Sequence, residues 1–296
     1  MKTIRIGTRG SKLALVQTAM VRTALSKLLP AVHTEVCIIK TRGDILLDAP
    51  LDAIGGKGVF VKDIERQLLD GTIDIAIHSL KDMQAVIPRG LTISAYLKRE
   101  NPQDMIFTGG THTLDSLPSG SSIGTSSMRR RCQIRSLRPD LKIVDIRGNV
   151  PTRLNKIGKG VDAVILAAAG VIRLGLPLGS PLAIETMIPS PGQGIIAVQS
   201  RIDDHEINAL IEGLDHEPTR ICAEAERAFL SALGQDCNLP AGAYATIDER
   251  DIFITGMLCS TDETRMEKMS MKGRDPSVGR RLAQALMTSI HGESGQ

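Results

Sequence analysis

Ser122-Ile123-Gly124-Thr125-Ser126-Ser127-Met128-Arg129-Arg130-Arg131 reads as a short strand, a turn of three hydroxyl side chains, and the first turn of a helix. A helix amino end carries partial positive charge, so each arginine there is unfavourable by a few tenths to about 1 kcal/mol. A solvated basic helix is the plain reading of one arginine pair. Three arginines directly behind Thr125, Ser126 and Ser127 favour an anionic ligand held by backbone N–H groups and guanidinium forks.

The same grammar extends on both sides. Residues 3–7 alternate as a strand, and Ser11 caps a helix with apolar positions Leu13, Val16, Met20, Ala24 and Leu28. Strands are expected at 35–40, 74–78, 91–96, 142–146 and 161–166, with helices over 59–69 and 128–137. Gly71 is a left-handed stop for the first of these, and Pro151 opens a further helix at its first position. The alternation predicts an α/β fold with mostly parallel sheets. Pro189-Ser190-Pro191-Gly192-Gln193-Gly194 marks a crossing between domains. Beyond Pro218 come a helix over 219–233, strands around 244–247 and 252–258, and a helix over 278–290. That is a small α+β tail domain. No internal repeat at a fixed period is visible.

Composition narrows the function. The 296 residues suggest about two domains, or three if one is small. Hydrophobic residues at 42% and charged ones at 23% exclude long disorder. No apolar run reaches membrane-span length, and Met1–Gly7 lacks a secretory signal, so a cytoplasmic protein is expected. Five cysteines without a CxxC pair argue against zinc or a disulfide framework, and no metal is expected. A net charge of +3, no Trp, two Tyr and four Phe argue against nucleic-acid binding. The cations gather between Met128 and Arg153, opposed there only by Asp140 and Asp145. This suggests a local anion site.

In such sheets ligands bind beyond the carboxyl ends of the strands. Those ends run into Thr8-Arg9-Gly10-Ser11, His78-Ser79-Leu80-Lys81-Asp82, Thr125–Arg131, and Arg147-Gly148-Asn149 with Arg153 one turn on. Gly55-Gly56-Lys57-Gly58 lacks the spacing of a P-loop; a plain loop with Lys57 as a point charge is equally good. His78, ending an apolar strand, is more often a hydrogen-bonded core residue than a catalyst. Asp82 is expected as a buried acid, the only carboxylate inside a crevice lined with cations. Cys237 stands in a loop and taken alone reads as an incidental thiol. Met266, Met269 and Met271 read as filler.

These stretches together resemble the porphobilinogen deaminase (hydroxymethylbilane synthase) family. The matching segments are Thr8–Ser11, Thr41–Asp44, Gly55–Gly58, His78–Asp82, Gly124–Arg130, Arg147–Val150, Ala169-Gly170 with Arg173-Leu174-Gly175, Gly192–Gly194 and Ala225–Arg227, in the family's order over essentially the whole chain.

The resemblance implies a transferase of tetrapyrrole biosynthesis with two type II periplasmic-binding-protein-like lobes and a small α+β C-terminal domain. The expected boundaries are 1–98 plus 195–217, 99–194, and 218–296. It implies a covalent dipyrromethane cofactor, joined by a thioether to Cys237. Four porphobilinogen molecules would be condensed onto it with loss of ammonia, and hydrolysis would release linear hydroxymethylbilane. By family match, Lys81, Thr125, Ser126, Ser127, Arg129, Arg130, Arg147 and Gly148 would hold the cofactor. Arg9, Ser11, Lys57, His78, Ser79, Arg147, Arg153 and Arg173 would hold substrate or the growing chain. Asp82 would be the catalytic carboxylate, stabilising the cation left when ammonia departs. A monomer without nucleic-acid or membrane partners is expected.

The chain departs from common family residues at Lys12, Val16, Ala53, Gln84, Gln199 and Asp236, the last adding a negative charge beside Cys237 that should raise its thiol pKa. Two alternatives remain: a two-lobed polycarboxylate-binding protein, and an inactive deaminase homologue.

Overall fold

The computed structural model describes residues 3–41, 61–234 and 240–291. They form two compact units: Met1–Glu100 with Ile195–Arg220, and Asn101–Gly194 with Ile221–Gln296.

The first unit is built on strands β1 (Thr3–Arg9), β2 (His33–Ile39), β3 (Ile75–Ser79), β4 (Leu91–Tyr96) and β10 (Ile196–Arg201), in the order β2-β1-β3-β10-β4. β1 runs parallel to β2 and β3, whereas β10 is antiparallel to both its neighbours. Helices α1 (Lys12–Leu28), α2 (Lys62–Leu69) and α6 (His205–Ile211) cover it. β3 shows why the strand reads as an unbroken apolar run. Ile75 and Ile77 enter a core with Ile4, Ile6, Val21 and Leu25, while Ala76 joins Ile64, Leu68 and Ile73 on the other side.

The face of α1 differs from expectation. Its buried residues are Gln17, Thr18, Val21 and Leu25, while Met20 and Leu28 are 40% and 47% exposed. The polar pair faces inward because it has partners there. Thr18 Oγ1 donates to Thr8 Oγ1 (2.8 Å), and Gln17 Nε2 donates to Ser79 Oγ (2.8 Å). Hydrophobic spacing alone therefore picks the wrong stripe.

His78, which the resemblance puts among the substrate contacts and the plain reading puts in the core, lies in β3. Its ring is buried, with Nε2 3.0 Å from Gln199 Oε1, and Gln199 Nε2 donates to buried Glu65 Oε1 (3.0 Å). Burial lowers its pKa to about 4.

The second unit carries a sheet of the same order. Strands β5 (Asp104–Thr108), β6 (Ser122–Gly124), β7 (Lys142–Val144), β8 (Ala163–Ala167) and β9 (Ser180–Pro181) lie as β7-β6-β8-β5-β9. β6 is parallel to β7 and β8, and β5 is antiparallel to β8. Helices α3 (Met128–Leu137), α4 (Val150–Leu154) and α5 (Ala168–Arg173) follow β6, β7 and β8. Pro151 stands second in α4, one place later than expected. Both sheets thus carry the α/β lobe architecture the sequence implied, each with one reversed strand.

A second layer in this unit is the antiparallel sheet β11 (Ala241–Asp248), β12 (Asp251–Cys259) and β13 (Met266–Gly273), with α7 (Glu217–Ala232) and α8 (Val278–His291). Their core includes Phe229, Ile254, Leu282 and Leu286. Met269 and Met271 pack against it from β13, a strand the sequence reading passed over. The two layers join through a cluster of Cys132, Ile188, Met257 and Cys259. Glu226, fully buried, accepts from Gly192 N (2.6 Å) and Ala245 N (2.8 Å). Among the described residues no helix is long and apolar enough to cross a membrane.

Two outcomes follow. A neutral buried His78 binds fewer protons than it does unfolded, where its pKa is near 6.5. Its contribution is therefore present above about pH 6.5 and is lost as pH falls towards 4, by up to about 3 kcal/mol. Urea midpoints between those pH values should show a steeper acid loss for the parent than for His78→Asn. Equal slopes would contradict the assignment. Secondly, a Cβ on Gly279 would lie 1.9 Å from Ala225 O and 2.9 Å from Phe229 N, so α7 and α8 meet backbone to backbone. Gly279→Ala should cost about 1–3 kcal/mol, read as a lowered thermal midpoint.

Candidate functional site

Parallel strands end on one edge of a sheet, so their loops gather there. In the first unit that edge carries Arg9 at the end of β1 and Ser79 at the end of β3. Ser11 caps α1, its Oγ accepting from Ala14 N (3.3 Å). The Gln17–Ser79 pair ties the two junctions together. Ser79 leads into a single 3₁₀ turn, Leu80–Asp82, in which Leu80 is buried, Lys81 half-buried and Asp82 exposed. The expectation of a buried Asp82 is corrected here: a three-residue turn anchored by Leu80 points its last side chain outward.

In the second unit β6, β7 and β8 end on one edge. The Thr125–Ser127 hydroxyls shape the backbone there. Ser126 Oγ donates to Ile146 O (2.8 Å), tying the β6 junction to the segment after β7. Thr125 Oγ1 accepts from Ser127 N (3.2 Å), and Ser127 Oγ caps α3 by accepting from Arg130 N (3.5 Å). Beyond β7, Arg147 is exposed and Gly148 has φ +113°. A Cβ on Gly148 would fall 2.6 Å from Thr152 Cγ2, so only glycine fits the turn. Asn149 caps α4 through Thr152 N (2.9 Å), and Arg153 Nε donates to Gly148 O (2.8 Å). Arg173, at the end of α5, donates from Nη2 to Gly194 O (2.7 Å).

The three arginines of α3 are not the unopposed cations the sequence suggested. Because β5 runs antiparallel, its first residue, Asp104, sits opposite Ala167 at the edge where the parallel strands finish. Asp104 is fully buried and accepts from Arg129 Nη2 (2.8 Å), from Arg130 Nη2 (2.7 Å) and from Arg130 Nε (3.1 Å). Both guanidinium groups are buried too, each residue 6% exposed. Arg129 Nη1 donates to Ile188 O (2.6 Å), and Arg130 Nη1 to Ile165 O (2.8 Å). Arg131 turns away to Asp145 (2.7 Å) and Glu263.

Burial alone would raise the Asp104 carboxyl pKa, but the two guanidinium charges hold it well below the usual carboxylate range. Burial also pulls Arg129 down from its ordinary value, with Asp104 opposing that. Asp104 is the only acid among the described residues that pairs directly with Arg129 or Arg130, so these three side chains together carry one positive charge in excess, a costly arrangement unless an anion completes it. Asp104 is an acid among the cations of this unit that the sequence reading did not name. Sequence reasoning missed it because it lies 25 residues before Arg129, the first of the basic run. The available signal was an acid opening an otherwise apolar strand, Asp104-Met105-Ile106-Phe107. Lys57 and Cys237 lie outside the described residues.

Comparison with known proteins meets this geometry. Residues 4–209 match the family model described as porphobilinogen deaminase, dipyromethane cofactor binding domain, and residues 220–288 match the porphobilinogen deaminase C-terminal domain. Curated relatives named porphobilinogen deaminase include one from Roseiflexus sp. (strain RS-1), 46% identical over 298 residues, covering 100% of this chain and 98% of the relative. Another, from Brevibacillus brevis, is 45% identical over 294 residues, covering 98% and 95%. A third, from Roseiflexus castenholzii, is 45% identical over 289 residues, covering 96% and 95%. The motifs run in register from Thr8 to Arg227 and the matches span almost the full length, so the chain belongs to the porphobilinogen deaminase family.

Proposed function

We propose that this chain, as a porphobilinogen deaminase, condenses four porphobilinogen molecules head to tail on a dipyrromethane cofactor tethered to Cys237, and releases linear hydroxymethylbilane by hydrolysis. The observation that carries the reading is the buried pair Arg129 and Arg130 sharing the single acid Asp104. A dipyrromethane bearing acetate and propionate groups is a polyanion, and a buried site with one cation in excess fits such a group.

Arg129 and Arg130 would hold its carboxylates, with Lys81, Thr125, Ser126, Ser127, Arg147 and Gly148. When bound, the group supplies the tethered pyrrole end from which a linear chain extends. Arg9, Ser11, Lys57, His78, Ser79, Arg147, Arg153 and Arg173 serve substrate and the growing chain. Half-buried Arg153 and Arg173 already have their forks oriented by Gly148 O and Gly194 O.

Porphobilinogen gives up its aminomethyl nitrogen as ammonia when the C–N bond breaks, which leaves positive charge on the pyrrole. Asp82 opposes that charge. At about 4 Å and an effective dielectric near 20, one carboxylate is worth roughly 4 kcal/mol, on the order of a thousandfold in rate. Exposure of Asp82 in its turn keeps it available to a ligand. We also propose a three-domain division at residues 98/99, 194/195 and 217/218, and a monomeric cytoplasmic enzyme.

The experiment has two readings. Intact protein made with substrate available should exceed the polypeptide mass by one dipyrromethane unit, and Cys237→Ser should remove that excess. Asp82→Ala should keep the excess mass and lose on the order of a thousandfold in turnover. A bare thiol in the parent protein would contradict the cofactor reading, and normal turnover by Asp82→Ala would contradict the electrostatic one.

A further inference from the structure

Asp104 lies outside the family-like segments quoted from this sequence, yet among the described residues it accepts more hydrogen bonds from the buried arginines than any other. Its carboxylate has four acceptor positions. Oδ2 takes Arg129 Nη2 and Arg130 Nε, and Oδ1 takes Arg130 Nη2 and Gln193 Nε2 (2.9 Å). Gln193 is itself fixed, since Nε2 also donates to Pro102 O (2.7 Å). The acid cannot rotate without losing several of these bonds, and the β5–β8 ladder fixes its backbone.

Each fork is therefore pinned on two sides. Arg130 is gripped by both carboxylate oxygens and by Ile165 O, and Arg129 by one oxygen and by Ile188 O. Both planar groups are fully determined by protein atoms, and both keep N–H donors that no described residue accepts.

We propose that Asp104 is the positioning residue of the cofactor site, the group that aims the free donors of Arg129 and Arg130 at the ligand's carboxylates. The proposal rests on the reading that these arginines hold the cofactor. Its distinctive consequence is a sign. If charge alone mattered, removing Asp104's negative charge would leave two uncompensated cations and speed the capture of an anion. If orientation matters, the same change slows capture.

The test supplies porphobilinogen to full-length apo-protein and follows cofactor loading by intact mass, normalised to the folded fraction by circular dichroism. Asp104→Asn should load more slowly by on the order of tenfold to a hundredfold, the range for groups that hold a binding side chain in place. Asp104→Glu, which keeps two acceptor oxygens, should recover most of the rate. Loading by Asp104→Asn at or above the parent rate overturns the proposal.

Should Asp104→Asn fail to fold, the comparison moves to an Arg129→Met background, which removes one of the two buried cations. There the added Asp104→Asn change should again slow loading, and an equal or faster rate overturns the proposal. Arg130→Gln, with Asp104 intact, examines the underlying reading separately. Parent-rate loading by that variant contradicts the role of the arginine itself, whatever Asp104 does.

Discussion

One carboxylate shared by two buried guanidinium groups organises the second unit of this protein. Asp104 reaches Arg129 and Arg130 only because β5 runs against its neighbours, which brings its first residue to the edge where β6, β7 and β8 end. Three arginines in the first turn of a helix oppose the local dipole. The fold answers by supplying acids from elsewhere: Asp104 for two of them, Asp145 and Glu263 for the third. Among the direct partners in the described residues, the compensation stops one charge short at the buried pair.

The first unit uses its reversed strand in a related way. β10 places Gln199 against β3, where the side chain meets His78 and Glu65 and satisfies two buried ionisable groups at once. The amide can accept from the ring and donate to the acid, so neither His78 nor Glu65 is buried without a partner. Here the reversed strand serves the core and leaves the edge where β1 and β3 end to Arg9, Ser11, Ser79 and Asp82. In the second unit it serves the edge itself. The difference lies in where along the strand the polar residue falls: fourth in β10, first in β5.

Much of this was legible in the amino-acid sequence. The strand–turn–helix units around Ser11 and Ser127 follow from short-range patterns, and their caps stand where the spacing put them. Long-range polar pairing was not legible. Gln17 and Thr18 face inward because Ser79 and Thr8 wait there, and no hydrophobic period records that. Asp104 is separated from its arginines by an intervening strand and loop, and His78 looks the same in sequence whether it faces a ligand or Gln199. β13 escaped because its inward residues are methionines between lysines and a glutamate, a composition poor in strand formers. The shared order of the two sheets was hidden as well, since topology repeats without a fixed sequence period.

On the proposed reading, carboxylates of a tethered cofactor complete the buried arginine pair. A crystal structure of the loaded protein, at a resolution that places the cofactor's acetate and propionate oxygens, tests it most directly. At least one such oxygen is expected within hydrogen-bond distance of Arg129 or Arg130, on an N–H that Asp104 does not occupy. A loaded protein in which both forks bond only to Asp104 and the main chain, with the cofactor's acids satisfied elsewhere, would contradict it.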